Sequence, residues 1–431
     1  MKVGWAHLDF RWLPWLIFLM ITTGGGGGAF LWLRHFDLHS YQARLASQLS
    51  ESLKLQVEWG PLSVEWKNGS LQGENLRLRP PSEKIPVLTA EKLFLKFDPW
   101  PLVFGKGVSE EWTLIKPNFL FLQERNGKKN WEGILGARRP AVKEIQLEEG
   151  SFRLRDETQD PAFEIVMKGI DASLKEGREM IDFQGKAQFQ NSVVEWETEV
   201  KPSEEKMAFR LTLGPGDAVF QGSVLNFKKA PHFQIVFQLK AFDWNSWVNL
   251  LGKENFMRGK ADGEIRAEGL GPGFSEIQSS LHAEGHLIIQ KGQLIKLNLV
   301  KTLMERLCSF PPLEKTLIPE WAQDSGTFFE TLEADFFVQD QQILFDSLVL
   351  KNSRFLIEGR GVLDAKREVN FEAQLILLEE TSRTLAAEIP SWLKLTNEEG
   401  RIVIPFSYHG YWPSTQPQPD WTDLSNRMTT S

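Results

Sequence analysis

The feature that most narrows what this chain can fold into is a strict alternation in its C-terminal third. In "TFFETLEADFFVQDQQILFDSLVLKNSRFLIEGRGVLDAKREVNFEAQLIL" (327–377), apolar and polar residues take turns over long runs. Phe328, Leu332, Phe336 and Val338 share one parity; Phe355 and Ile357 do so next, then Val369, Phe371, Leu375 and Leu377. Successive side chains of a strand point to opposite faces. This pattern therefore predicts a sheet with one greasy face and one face of Glu, Asp, Lys and Gln. Antiparallel sheets ordinarily bury the greasy face against a second layer. A chain with few helices must fold its sheet on itself or hold something apolar. Phe328, Leu332, Phe336, Val338, Phe355, Ile357, Val369, Phe371 and Leu375 are accordingly candidates for lining a hydrophobic groove.

Strand-type runs fill most of the remaining chain. About twenty of them follow one another at intervals of roughly 8 to 15 residues. One hairpin is signalled by Asn68-Gly69. A weak self-similarity recurs around Gly185, Gly222, Gly263, Gly285 and Gly361, each in a strand pattern. It fits either generic antiparallel structure or a repeat in which strand pairs extend one long sheet. Helical spacing is confined to short stretches. "SYQARLASQLSESL" places Tyr41, Leu45, Leu49 and Leu53 on one stripe. "FDWNSWVNLLG" gathers Trp244, Trp247, Val248 and Leu251. "LNLVKTLMERLCSF" gathers Leu297, Val300, Leu303, Met304 and Leu307, and "TSRTLAAEIPSWLK" is a weaker third. Such helices suit the end or open face of a sheet. Residues 413–431 are Pro-rich and polar and are read as a disordered tail.

Residues 12–33 carry no charge, 22 in succession between Arg11 and Arg34. That is the length of one helical bilayer crossing, with Trp12 and Trp15 at one end and Trp32 at the other, as in two aromatic belts. Gly24, Gly25, Gly26, Gly27 and Gly28 would each weaken a helix in water by about 1 kcal/mol. In hydrocarbon, unsatisfied backbone is costlier, so the bilayer holds the helix. The rival is a signal peptide cut before Phe30, but the apolar Phe30–Leu33 and the Arg34 that follows favour an uncleaved anchor. The flanking positive charges leave orientation tied. The chain is thus read as a short tail (1–11), a transmembrane anchor (12–33), a β-rich domain (34–412) and the tail (413–431).

Composition narrows the function classes. The 431 residues carry a net charge of −8 with no basic block, which argues against nucleic acid as a partner. A single cysteine, Cys308, rules out an internal disulfide. No residues are nominated for catalysis. "GLGPGF" (269–274) resembles a nucleotide loop, but Pro272 lacks an amide donor and no helix pattern follows. His282, Glu284 and His286 share a strand face as a metal half-site, without further ligands in the pattern; a solvated face is the commoner reading. Neither an enzyme nor a cofactor is expected.

Several motifs, in order, resemble the AsmA family of Gram-negative envelope proteins. After the anchor and amphipathic helix come "VEWGPLSVEWKNGSLQGENLRLRP" and "DPWPLVFGKGVSEEWTLIKPNFLFLQERNGKKNW". Towards the end come "EGHLIIQKGQLIKLNLVKTL", the alternating run above, and "GRIVIPFSYHGYWPSTQPQPD". The resemblance spans about residues 10 to 420 and is weakest over 140–255. It implies an inner-membrane anchor with the bulk in the periplasm. It also implies a long curved antiparallel sheet with a hydrophobic groove, capped by a few short helices. The implied function is to bind or conduct phospholipid acyl chains in outer-membrane biogenesis, with possible envelope partner proteins. A non-enzymatic scaffold for outer-membrane proteins or lipopolysaccharide, working by strand addition at an open sheet edge, is the alternative.

Overall fold

The computed structural model describes residues 38–429 apart from 66–69, 82, 98–108, 132–141, 159–161, 191, 215–216, 246–256, 272–273, 296, 314–317 and 412–413. The anchor, with Trp12, Trp15, Gly24–Gly28 and Trp32, lies outside the described residues. So does the Asn68-Gly69 turn, although the strands on either side of it pair antiparallel. Among the described residues no helix is long and apolar enough to cross a membrane. The chain is mainly β and divides into two compact units, Met1–Glu176 and Gly177–Ser431.

In the first unit, helix α1 (Leu38–Leu53) precedes strands β1 (Gln56–Glu58), β2 (Ser63–Glu65), β3 (Ser70–Arg79), β4 (Leu88–Phe97), β5 (Ser109–Ile115), β6 (Asn118–Gln123), β7 (Glu144–Asp156) and β8 (Phe163–Glu176). The α1 stripe meets the sheet through Leu49 and Leu53, against Leu71, Leu76, Leu93, Leu95 and Leu114. One departure from an all-antiparallel sheet stands out: β5 and β6 both run parallel to β7. They act as one strand broken at Lys116-Pro117, where Lys116 has φ +48°. Asn130 clamps β6 from the side: its Oδ1 accepts from the Leu122 N–H (2.8 Å) and its Nδ2 donates to the Leu120 carbonyl (2.9 Å).

In the second unit, consecutive strands pair antiparallel from β9 to β21. They are β9 (Ile181–Phe189), β10 (Ser192–Lys201), β11 (Lys206–Leu213), β12 (Ala218–Leu225), β13 (His232–Asp243), β14 (Met257–Leu270) and β15 (His282–Ile295). After them come β16 (Gly326–Gln339), β17 (Gln342–Lys351), β18 (Phe355–Asp364), β19 (Glu368–Leu377), β20 (Val403–Tyr411) and the two-residue β21 (Gln418–Pro419). Among the described residues, the helices that accompany the strands are α2 (Phe274–Ser280), α3 (Leu299–Leu307), α4 (Glu379–Glu388) and α5 (Trp421–Thr429), with 3-10 turns at Pro311–Leu313, Glu320–Ala322 and Pro390–Leu395.

The core of this unit sits where α3, α4, α5 and the 3-10 turns cover one end of the apolar face. Leu303, Met304, Leu307, Leu313, Trp392, Leu395 and Leu424 are fully buried there. The helical stripe expected at Val300, Leu303, Met304 and Leu307 is the buried side of α3. Within the segment 413–431, the described residues 414–429 depart from the expectation of disorder. They form β21 and α5, because Leu424 and Met428, four apart, give the short helix an apolar side that packs into this core.

Candidate functional site: the apolar face of the second unit

The pairing register sets side chains of twelve strands, β9 to β20, in rows across one face. One row runs through Gly185, Trp196, Leu211, Phe220, Phe237 and Ile265, and continues through Gly285, Phe336, Phe345, Gly361, Phe371 and Tyr408. The next row, towards the helices, runs from Ala187 and Val194 to Ala373 and Phe406. Every member of both rows is apolar, a glycine or Tyr408.

Rings and glycines interlock along these rows. Phe336 lies over Gly285, so a Cβ there would stand 2.5 Å from its Cζ; Phe371 lies over Gly361 in the same way, and Phe209 over Gly222 in the row beyond, on the side away from the helices. Each is a directly opposed cross-strand pair. A ring covering the backbone of a glycine neighbour restores the packing that glycine lacks. Phe220 and Phe237 stack at 4.0 Å, and Phe345 and Phe371 meet at 5.3 Å.

Burial changes from row to row. The row Leu332, Leu350, Ile357, Leu375 and Ile404 is closed under the helices, none more than 9% exposed. In the Phe336 row, Trp196, Leu211, Phe220, Phe237, Phe336, Phe345 and Phe371 are half-buried. Such side chains touch their lateral neighbours while part of each ring faces outward.

The nine predicted groove residues therefore separate. Leu332, Phe355, Ile357 and Leu375 belong to the closed core. Val369 is buried at the opposite end, beside Gly410. Phe336, Val338 and Phe371 stand on the half-buried part of the face. Phe328 is on the other side of the sheet, 47% exposed, while Phe329 is buried. The inward parity of β16 switches between Phe329 and Leu332, across from Lys291 of β15, whose φ of +49° breaks the pleat. The β9–β14 members of the face escaped sequence reasoning. Their signal was the alternation of "FQIVFQL" and its neighbours, diluted by glycines whose covering rings lie on other strands.

The polar face holds a trough of about 900 Å³ across β10–β15. One wall is Glu197, Arg210, Gln221, Val236, Arg266 and Glu284; the other is Glu199, Ala208, Ser223, Gln234, Glu268 and His282. The expected groove lies on the apolar face, whereas this trough is on the opposite one. His286 stands beside it with Nδ1 2.7 Å from Asp335 Oδ1, and His282 Nδ1 is 2.9 Å from the Ser280 carbonyl. A hydrogen bond from Gln238, followed by the Arg266 guanidinium, holds the Glu264 carboxyl below its ordinary range. Among the described residues no group of three or more His, Cys, Asp or Glu could hold a metal ion. Where the Phe336 row ends, burial pushes the Tyr408 hydroxyl up to about 12, and it donates to the Thr415 carbonyl at 2.9 Å.

Compared with protein-family models, with curated proteins and with solved structures, the chain returns no match.

Proposed function

We propose that the chain is a membrane-anchored envelope protein whose apolar β-face binds acyl chains of phospholipid, in support of outer-membrane assembly. The observation that carries this reading is the half-buried row from Trp196 to Phe371. Large rings left partly uncovered over many strands are a cost to a soluble protein, and an apolar ligand laid across them removes that cost. Neighbouring strands are about 4.8 Å apart, so a row crossing twelve strands has room for a fully extended acyl chain. The closed core at the helix end bounds the face on one side, and the headgroup would lie towards water on the other. No residue is assigned a covalent role.

The test is native mass spectrometry on residues 37–431, purified from an envelope fraction without detergent. Phospholipid at a defined stoichiometry is expected, and Phe371→Asp should remove most of it while the chain stays folded. A folded, lipid-free protein would sink the reading.

A further inference from the structure

Edge strands present a row of unpaired backbone groups, and a stable sheet must cover them. On β20 the outward-facing residues are Val403, Pro405, Ser407, His409 and Tyr411, and each of them is met by at least one group of a single segment. The Val403 carbonyl accepts from Arg427 Nη1 at 3.5 Å. Pro405 has no N–H to offer, and its carbonyl accepts from the Asp420 N–H at 2.9 Å. Ser407 faces Gln418 of β21. The His409 carbonyl accepts from the Thr415 hydroxyl (2.6 Å), and that of Tyr411 from the Thr415 N–H (3.0 Å).

The covering segment is tied down independently of the strand. Arg306 of α3 donates to the Gln418 and Gln416 side chains at 2.6 and 2.9 Å. Lys394 Nζ donates to the Met428 carbonyl at 2.7 Å, and α5 buries Leu424 and Met428. A strand of two residues has little hold of its own; these anchors supply it.

We infer that residues 415–427 are a built-in terminator of the sheet, occupying the β20 edge so that a second copy of this chain cannot add its own β20 there. The sequence of β20, "VIPFSYHGY", is rich in β-branched and aromatic residues and has no acidic or strongly basic side chain. Pro405 removes one outward donor, but those of Ser407 and His409 remain, so the strand, left bare, can still pair at its edge. Two antiparallel copies would be self-complementary about a two-fold axis. The inference is independent of the lipid reading.

The test uses the full chain. Residues 414–419 are replaced by a Gly/Ser segment four residues longer, which leaves α5 and its anchors in place. By native mass spectrometry the natural chain is expected to be a monomer and the variant a dimer. Adding Ser407→Pro, which deletes an outward donor, should restore the monomer. A variant that stays monomeric with an unchanged melting temperature overturns the inference, and so does a dimer that survives Ser407→Pro. Should the replacement unfold the chain, Arg306→Ala with Thr415→Val loosens the same segment by point changes. Amide exchange at Ser407, which pairs with Gln418, should then quicken by about tenfold in dilute solution and slow again as concentration rises. Exchange independent of concentration overturns the inference.

Discussion

At Gly285 the constraint is one of space: Phe336 Cζ and Cε1 would stand 2.5 and 2.8 Å from an added Cβ. Gly285→Ala should therefore displace the ring and cost about 1–3 kcal/mol in denaturant unfolding. Combined with Phe336→Leu, part of that cost should return, because the offending ring is gone. Strict additivity of the two changes would remove the argument for ring-over-glycine packing. Trp196 poses a different question. Its indole N–H is buried with no hydrogen-bond partner among the described residues, as are those of Trp59, Trp112 and Trp244. An unpaired buried donor is a liability, so Trp196→Phe should change stability by less than about 1 kcal/mol despite the loss of ring area. A loss near 3 kcal/mol would mean that the N–H finds a partner in solution.

Among the elements, α3 shows how local signals and distant contacts combine. Its N-cap Asn298 accepts from the Lys301 N–H at 2.8 Å and donates to the Ala322 and Asp324 carbonyls, also at 2.8 Å. Asn298→Ala should cost about 2 kcal/mol, more than an ordinary cap, since it also strands those two carbonyls. The apolar stripe was legible in the sequence; the two carbonyls were not, because they belong to a turn more than twenty residues away. The C-terminal segment carries a pH signature. The Tyr408 hydroxyl is held up to about 12 from an ordinary 10.0 by burial. The folded chain thus keeps this proton where the unfolded chain loses it. The resulting stability is complete below pH 10 and is lost as pH rises from about 10 through 12. Melting temperatures across that window should fall less steeply for Tyr408→Phe; identical slopes would exclude Tyr408 as the source.

For the whole molecule, the decisive comparison is between two positions four residues apart on one strand face. Leu375 is fully buried under the helices, so Leu375→Asp should abolish folding. Phe371 lies on the half-buried part of the same face, so Phe371→Asp should leave a folded chain with impaired lipid binding. If both unfold the chain, the face is an ordinary core along its whole length. The scaffold reading needs an open sheet edge, and at β20 that edge is occupied by Thr415, Gln418, Asp420 and Arg427.

The amino-acid sequence by itself determined the strand class of most of the chain, the parity of Phe336, Val338, Phe355, Ile357, Val369, Phe371 and Leu375, and the buried stripe of α3. These are local properties: period two or 3.6 decides them within a few residues. Tertiary structure alone decided which part of the apolar face is covered, since helices from three separate segments meet over Leu332, Leu350, Ile357, Leu375 and Ile404. It also decided that Phe328 turns outward, through the left-handed Lys291 on the neighbouring strand. Finally, it ordered residues that composition marked as disordered. Their polar side chains look solvated in sequence, but Arg306, more than a hundred positions earlier, holds Gln416 and Gln418 against the sheet edge. Alternation is written along the chain; cover is supplied by contacts between residues far apart in it.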